Sequence, residues 1–530
     1  MVTPLSVVRE LRRATQIATV LWASGFGWLV AAVGLSGCVD LRCRVVCATK
    51  LRQCHHHVDM DLPLPERMRR VLVTLGPTFV KLGQIVAMRP DYVPAEYALA
   101  LRGLQDHVEP FGAAAARRVV EDELGPLEQV FADFDAEPFA AASLAQVHRA
   151  TLPDGRRVAV KIQRPGAQEQ MREDLELLAV LARRLERRAP ATLGFRPTTM
   201  VAELKDTTDR ELDFRLEART CRRVGEFFAD RDDVIIPWVD LDRTTARVLT
   251  MQLIDGTPPA PSDQLEAQGF DVDELVTTGA RAMLDQIFTL GVFHADPHPG
   301  NLLLLPGNRV AFLDFGMFGK LNARSRRRLA IMLWALVDGD FDAVGTQLLG
   351  FATLGVDSDE AAFRDAMDGV VEDWFGGRRG TSVTQLLMRE LGLGAQFGVV
   401  FPRDLLLVTR ALIGLDATAH LMLPGRSFDD LLAPLVPNIR RAVLPDGTQL
   451  KDLLAGHHFG LLQLAADLPD LVPDLVRQVQ TRRAVSAPAP STHPRTGGDR
   501  GWLLLAVLAG AIAGRLGAGR SAGGEPRPRR

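Results

Sequence analysis

The sequence predicts an α+β fold made of two or more modules. Its 530 residues exceed the length of one small domain. Two β-rich runs, 143–151 and 156–163, are joined by Pro153-Asp154-Gly155, a turn sequence that closes a β-hairpin. A short apolar strand at 310–319 is followed by the helical sequence LNARSRRRLAIMLWALVDGD. We therefore expect small sheets beside long helices.

Composition and charge exclude several classes of protein. The chain has 62 Lys plus Arg against 65 Asp plus Glu, a net charge of −3, so no excess of positive charge favours nucleic acid. With 47% apolar and 24% charged residues, it is neither disordered nor a polytopic membrane protein. Five cysteines do not make a disulfide framework for a chain of this size. We expect a cytoplasmic protein that does not bind nucleic acid, and the sequence leaves its oligomeric state open.

The N-terminal segment, residues 1–59, has an apolar run with three interpretations. The stretch 14–39 contains no charged residue and follows three arginines, as a membrane segment does. Its glycines and hydroxyl side chains are as compatible with an interfacial or protein-covered helix. Residues 35–38, Leu-Ser-Gly-Cys, resemble a lipid-attachment site, but the apolar run exceeds the ~7 to 15 residues of such signals. Membrane association here is a prediction with alternatives.

A group of cysteines and histidines follows that run. Cys43, Cys47 and Cys54 precede three consecutive histidines at 55–57. Zinc has to be considered, because thiolates and imidazoles are its usual ligands. The spacings match no standard zinc finger, so the favoured interpretation is a polar linker with free thiols.

The C-terminal end is predicted to be a linker and a short hydrophobic tail. Residues 481–500 have the Pro, Ser, Thr and Gly content of a flexible linker. Residues 502–514 are uncharged, but as a helix at ~1.5 Å per residue they cover only about 20 Å of a ~30 Å hydrocarbon core. Surface anchoring is at least as compatible as a span, and the closing EPRPRR favours an anionic cytoplasmic leaflet.

Lys161 lies in the second strand of the predicted hairpin. Val158, Val160 and Ile162 alternate with Ala159 and Lys161, so the lysine faces away from the three β-branched side chains. A lysine that reaches nucleotide phosphates occupies this kind of position. Taken alone, the V-A-V-K pattern is weak evidence, because a lysine at a solvated position of an edge strand is commoner than a functional one.

The segment HADPHPGNLLLL, residues 294–305, carries two polar side chains at a meaningful spacing. Asp296 and Asn301 are five residues apart, as are the catalytic Asp and metal-binding Asn of the H-R-D-L-x-x-x-N loop. Prolines and a glycine make this loop a rigid turn. A simple helix-to-strand connection explains the prolines but not the His, Asp and Asn together.

The third motif is VAFLDFGMFG, residues 310–319, which ends a strand in Asp314-Phe315-Gly316. The separation between Asp296 and Asp314 accommodates a loop and two antiparallel strands, so both acids are expected at one end of a hairpin. Phosphoryl transfer needs a lysine on the phosphates, metal ligands, and a carboxylate near the nucleophile. The order of the three motifs predicts such a site.

Two features of ordinary protein kinases are missing. No G-x-G-x-x-G precedes the lysine strand; its place holds an alanine-rich loop, which restricts the backbone where glycine would be free. After Gly316 the chain enters a helix without an A-P-E motif, and Ala295 replaces the arginine that receives an activation-loop phosphate. A docking platform for protein substrates is therefore doubtful.

Two further segments carry charged residues. Residues 81–84, Lys-Leu-Gly-Gln, lie on a predicted helix with a buried glycine contact. The helical run VAELKDTTDRELDFRLEA contains Glu203 and Glu211, whose spacing of about two turns puts both on one face, so either could approach Lys161. A solvated acidic face is the favoured interpretation for Glu203 and Glu217.

Together these motifs resemble those of the UbiB, AarF and ADCK family of atypical kinase-like proteins. KLGQ, AAASLAQVHRA, VAVKIQRPG, ELDFRLEA, HADPHPGN and LDFG occur in the family's order over about residues 60–425. The resemblance implies a bilobal protein-kinase-like fold with an added N-terminal KxGQ helical subdomain and a mainly helical C-lobe. It further implies the following division: 1–59 apolar segment and linker, 60–112 KxGQ subdomain, 113–255 N-lobe, 256–480 C-lobe, 481–500 linker and 501–530 tail.

The resemblance also implies roles for individual residues. Asp296 resembles the catalytic acid, and Asn301 with Asp314 the magnesium ligands. Lys81, Gly83 and Gln84 resemble the gating motif. The residues implied to bind ATP are Ala140, Ala141, Ala142, Ser143, Lys161, Glu211 and Asp213.

The function implied is that of a Mg-ATP-dependent kinase or ATPase that supports the biosynthesis of quinones and other isoprenoid lipids at the membrane. The implied partners are ATP, an isoprenoid or quinone intermediate and a membrane surface. One alternative is a nucleotide-gated scaffold without phosphoryl transfer, which the alanine-rich loop favours and Asp296 disfavours. Another is a relative of aminoglycoside or choline kinases, which KLGQ and the alanine-rich loop disfavour.

Overall fold

The computed structural model describes residues 4–39, 62–87, 95–102, 109–188, 196–354, 358–375 and 383–424, with a few single positions besides. The Cys and His cluster at 43–57, the linker and the tail lie outside the described residues. The helices are α1 Pro4–Ala23, α2 Gly27–Ala32, α3 Leu64–Leu75, α4 Pro77–Ala87, α5 Ala95–Arg102, α6 Ala113–Leu124, α7 Leu127–Val130, α8 Ala167–Arg188, α9 Pro197–Glu211, α10 Phe214–Phe227, α11 Ser262–Glu266, α12 Val272–Leu284, α13 Ala323–Asp338, α14 Phe341–Leu349, α15 Glu360–Phe375, α16 Val383–Phe397 and α17 Arg403–Met422.

The strands are β1 Asp133–Phe134, β2 Ala140–Ala141, β3 Ala145–Thr151, β4 Arg157–Gln163, β5 Val234–Ile235, β6 Val248–Gln252, β7 Val292–His294, β8 Leu302–Leu305, β9 Arg309–Phe312, β10 Phe318–Lys320, β11 Thr353–Leu354 and β12 Val399–Val400. Helices and small sheets thus occur together, which confirms the predicted α+β class.

The largest sheet is antiparallel and has the order β1-β3-β4-β6, with β2 also paired to β3. The predicted hairpin is β3 and β4, and its turn contains Gly155 at φ 85°, a left-handed conformation that favours glycine. Val158, Val160 and Ile162 are fully buried in a core shared with α6 and α7. Lys161 points to the other face, as the alternation predicted.

Helix α10 packs beneath that other face of the sheet. Phe214 and Ala218 of α10 share a small buried cluster with Ala145 of β3 and Leu249 of β6. The helix begins at a capped residue, because the Asp213 side chain accepts a hydrogen bond from the backbone N–H of Arg215. This packing holds α10 directly under Lys161.

A second, mainly helical core lies C-terminal to the sheet. It joins α10 to α12, α13, α14 and α17 around two short strand pairings. In one, β8 and β9 form an antiparallel hairpin with β5 parallel to β9; in the other, β7 pairs with β10. The motifs at 294–305 and 310–319 are therefore the two arms of one hairpin and its flanks, as predicted.

The apolar run 14–39 divides into the end of α1, helix α2 and a short 3-10 turn. Ile17, Val20 and Phe26 are buried against α3 and α4. A partly buried ion pair anchors α1 further: the Arg13 guanidinium donates to Asp174 of α8 at 2.6 Å. Protein thus covers one face of the run, while Trp28 is 62% exposed. Its contact with a membrane stays a prediction.

One helix in the described part of the chain, α17, is long and apolar enough to cross a membrane by length and composition. Its most apolar window is 61% buried, and its residues belong to the C-terminal core. Core helices of soluble proteins share these properties, so the helix alone is weak evidence of a span.

Gly83 allows α3, α4 and the segment after α5 to pack closely. A Cβ atom at this position would lie 2.3 Å from Leu104 Cδ1 and 2.7 Å from Leu72 Cδ1, and both leucines are buried. We expect Gly83→Val to lower the free energy of unfolding by about 1–3 kcal/mol through overpacking. Urea unfolding measures this change. Gly369→Val, at an exposed position of α15, is the control, because no atom lies within 4 Å of the Cβ there. Equal stability of the two variants would contradict the prediction.

Candidate functional site

The site is built around Lys161 in the middle of the sheet. The Nζ atom of Lys161 lies 2.9 and 3.0 Å from the two carboxylate oxygens of Glu217 on α10. It also lies 3.3 Å from Oδ2 of Asp314, which follows β9. The Phe214 ring packs against the ammonium group at 5.4 Å. One lysine thus joins the sheet, α10 and the strand end that carries Asp314.

The three charged groups shift one another's ionisation. Burial would lower the pKa of Lys161, but the carboxylates of Asp314 and Glu217 outweigh burial and raise it. Burial raises the pKa of Glu217 to about 7, and Lys161 offsets this only in part. Burial also acts to raise the pKa of Asp314, but Lys161 and the Gly316 N–H hold it well below its usual range. Asp314 is therefore the ionised carboxylate of the cluster at neutral pH.

The prediction for Glu217 was wrong. Its side chain is 6% exposed and forms the closest ion pair with Lys161, instead of lying on a solvated face. The periodicity of α10 contains the missed signal: Glu217 lies three residues after Phe214 and seven before Val224, both buried, so it belongs to the apolar face. Glu203 is not solvated either, because it pairs with Arg89 at 3.2 Å.

Glu211 does not reach Lys161 but pairs with the lysine of KLGQ. The distance from Lys81 Nζ to Glu211 Oε2 is 2.6 Å, and both side chains are nearly buried, at 10% and 13% exposure. Gln84 of the same motif donates to the Leu104 carbonyl at 3.2 Å. Asp213 caps α10 and pairs with the Arg215 guanidinium at 2.7 Å. The role of Glu211 and Asp213 in nucleotide binding stays a prediction.

The alanine-rich loop forms a tight hairpin with β3, the strand next to the lysine strand β4. Ala140 and Ala141 form β2, the Ala142 N–H donates to the Ala145 carbonyl, and Ser143 is buried in the turn. Ala140 lies opposite Val147, and Val147 lies opposite Lys161. The loop therefore stands two strands, about 10 Å, from the lysine.

Asp296 lies on a loop that is held from three directions. Its backbone N–H donates to His294 Nδ1 at 3.0 Å, and its carbonyl accepts a hydrogen bond from Asn301 Nδ2 at 3.1 Å. Its carboxylate pairs with Arg410 of α17 at 2.6 Å. Burial lowers the pKa of His294 to about 4, so its imidazole is neutral and Nδ1 acts as an acceptor. No sequence motif marked Arg410.

Asn301 and Asp314 are brought together by the β8–β9 hairpin. The Leu313 N–H donates to the Asn301 carbonyl at 2.9 Å, which puts Asn301 beside the residue preceding Asp314. The side-chain nitrogen of Asn301 faces Asp296, so its amide oxygen is directed away from that bond. The described residues contain no cluster of three His, Cys, Asp or Glu side chains that could hold a metal.

This donor set fits magnesium. Mg²⁺ is usually held by one or two protein carboxylates together with phosphates and water, so a cage of protein ligands is unnecessary. An ionised carboxylate and an amide oxygen are hard oxygen donors of the type that it prefers. Asn301 and Asp314 are the residues that would hold it.

Comparison with known proteins defines the class. Residues 103–348 match the ABC1 atypical kinase-like domain. A probable protein kinase UbiB from Marinobacter nauticus is 31% identical over 464 residues, 84% of each chain. ACTIVITY OF BC1 COMPLEX KINASE 3, a chloroplast protein of Arabidopsis thaliana, is 35% identical over 73% of this chain but 54% of its own. A solved structure of Rv3197 with erythromycin from Mycobacterium tuberculosis, 26% identical, has a TM-score of 0.44 and covers 66% of this chain and 89% of that chain.

The fold and the matched domain are those of an atypical kinase-like protein. The similarity to the UbiB relatives extends over most of both chains. The chain belongs to the UbiB/ADCK family, as its motifs indicated.

Proposed function

We propose that the protein binds Mg-ATP between Lys161 and the edge formed by Asp296, Asn301 and Asp314, and transfers the γ-phosphoryl group. The observation that carries this proposal is the cluster of Lys161, Glu217 and Asp314. In kinases, an ion pair between a strand lysine and a helix glutamate positions that lysine on the nucleotide phosphates. The 2.9 Å contact of Lys161 with Glu217 has this form.

The proposed reaction assigns each group a task. An acceptor hydroxyl, or water, attacks the γ-phosphorus and gives its proton to the Asp296 carboxylate. The bond from the γ-phosphorus to the β–γ bridging oxygen breaks, and ADP leaves with the electron pair. Lys161 holds phosphate oxygens by charge-assisted hydrogen bonds. Magnesium, bound by Asn301 and Asp314, would neutralise charge on the β- and γ-phosphates.

The acceptor that we propose is an isoprenoid lipid or quinone intermediate, and the reaction supports its biosynthesis at a cytoplasmic membrane surface. Two observations support a small acceptor. Helix α4, which carries KLGQ, is tied to α9 by the pair of Lys81 and Glu211, where it would gate the site. After Gly316 the chain enters β10 and then α13 at Ala323, which leaves no long activation segment for a peptide.

Thermal unfolding with ATP, with and without Mg²⁺, tests the nucleotide site. Ligand at about a hundred times its dissociation constant should stabilise the wild type by roughly 2.7 kcal/mol. Asp314→Asn should remove the magnesium-dependent part, because it loses an ionised ligand. Asp255→Asn, in an exposed pair with Arg157, is the matched control and should respond as the wild type does.

The outcomes separate the two proposed classes. A magnesium-dependent shift lost in Asp314→Asn, together with ATP turnover that is sharply reduced but still measurable in Asp296→Asn, supports phosphoryl transfer. ATP binding without turnover supports the nucleotide-gated scaffold. No shift in the wild type at millimolar ATP would contradict both.

A further inference from the structure

Helix α17 contacts the loop of Asp296 along one stripe. Arg410, Gly414 and Thr418 are spaced four residues apart and therefore lie on one face of the helix. Arg410 pairs with the Asp296 carboxylate, and the Thr418 hydroxyl donates to the Pro297 carbonyl at 3.2 Å. Gly414 lies between them: a Cβ there would be 3.2 Å from the Pro297 ring. Three successive turns of α17 thus contact two successive residues of the loop.

The contact between Arg410 and Asp296 uses both carboxylate oxygens. Nη2 donates to Oδ2 at 2.6 Å and Nε to Oδ1 at 3.3 Å. Such a fork fixes the plane of a carboxylate, which a single donor cannot do. The two residues are 114 positions apart, and their side chains are 26% and 25% exposed, so the pair lies at the open rim of the site and not in its core.

We propose that Arg410 is a positioning residue for the phosphoryl-transfer reaction and acts by holding the Asp296 carboxylate in its productive orientation. This inference rests on the proposed function. A carboxylate that accepts a proton from an attacking hydroxyl must present an oxygen within hydrogen-bond reach of it. Arg410 holds one side of both oxygens and leaves their remaining lone pairs to face the acceptor. Loss of this constraint lets the side chain rotate, which slows the reaction without weakening ATP binding.

A purely structural role would give a different result. Gly414 and Thr418 already join α17 to the loop without Arg410. If Arg410 only fastened the helix, its removal would have the same effect whether or not residue 296 were a carboxylate. If it positions the carboxylate, its removal has no further effect once that carboxylate is gone.

The experiment is a double-mutant cycle in steady-state Mg-ATP turnover. It compares the wild type, Arg410→Gln, Asp296→Asn and the double variant, with Arg403→Gln as the matched control on the same helix. Arg403 pairs with Asp206 of α9 and not with the loop. We expect Arg410→Gln to lower kcat by about 10- to 100-fold with KM for ATP within about twofold, and to lower it by less than about twofold in the Asp296→Asn background. Arg403→Gln should keep the wild-type kcat.

Arg410→Lys keeps the positive charge but loses the two-donor contact, so it should keep only part of the wild-type kcat. This variant replaces Arg410→Gln in the experiment if Arg410→Gln does not fold. Wild-type kcat in folded Arg410→Lys, or an equal loss of kcat in both backgrounds, overturns the inference alone. If ATP turnover by the wild-type protein does not depend on Asp296, both this inference and the proposed function are overturned. The two failures are therefore distinguishable.

Discussion

Lys161→Met will lower the free energy of unfolding by about 3–5 kcal/mol at pH 8, which is the usual cost of removing one partner of a buried ion pair. The change leaves the carboxylates of Glu217 and Asp314 on either side of an apolar side chain, and Glu217 is 6% exposed. Their mutual repulsion adds to the loss of solvation. Urea unfolding at pH 8 measures the effect.

The pH dependence of the stability lost in Lys161→Met identifies the cause of that loss. Burial raises the pKa of Glu217 to about 7 even with Lys161 present, and without the lysine the pKa will rise further. The folded state then binds a proton that the unfolded state has released, so stability falls as pH rises from the unfolded-state pKa through the folded-state pKa. The deficit of Lys161→Met should therefore be smaller at pH 5 than at pH 8.

Lys205→Met is the matched control. Lys205 forms an exposed pair with Asp209, at 65% and 57% exposure, and such pairs contribute about 0–1 kcal/mol. A deficit for Lys161→Met that equals that of the control, or that does not change with pH, would contradict the role assigned to the cluster. ATP turnover should also be lost in Lys161→Met and kept in the control.

The parts of the site that lie on one strand or one hairpin were predictable from sequence. Strand alternation fixes the side to which Lys161 points, because successive side chains lie on opposite faces. The interval between Asp296 and Asp314 is closed by a single hairpin, so their proximity needs no distant contact. Local geometry decides both cases.

The parts of the site that depend on helix phase or on packing between distant segments were not predictable from sequence. Helix α9 ends at Glu211 and Asp213 caps α10, so the spacing of Glu203 and Glu211 on α9 carries no information about Glu217 on α10. The acids of α9 instead meet Lys81 and Arg89. Arg410 reaches Asp296 from the last described helix, and no local pattern encodes such a contact.

Glu390→Gln will raise the free energy of unfolding, by roughly 3–5 kcal/mol at pH 8 and by little near pH 4.5. Glu390 lies on α16 between the core leucines Leu387 and Leu391 and is 1% exposed. Its Oε1 atom has no hydrogen-bond partner in the described part of the chain. Burial raises the pKa of its carboxyl group to about 8, and no described charged group offsets that burial.

The direction of the stability change in Glu390→Gln follows from proton binding by the folded and unfolded states. Between the ordinary pKa of glutamate, about 4.3, and the folded-state value, the folded protein keeps a proton that the unfolded chain releases. The contribution of Glu390 to stability is therefore present at low pH and is lost as pH rises through that interval; above it, both states are ionised and the contribution no longer changes. A glutamine has the same shape, does not titrate and avoids this loss.

Urea unfolding of wild type and Glu390→Gln at pH 5, 6, 7 and 8 measures the difference, which should grow with each step. Glu360→Gln on α15 is the matched control, because Glu360 is half-exposed and pairs with Arg364. The free energy of unfolding of this variant should parallel that of the wild type at every pH. A constant difference between wild type and Glu390→Gln would mean that the buried carboxyl titrates as it does in water. Glu390 would then be solvated in the folded state, and the core around α16 would be open to water.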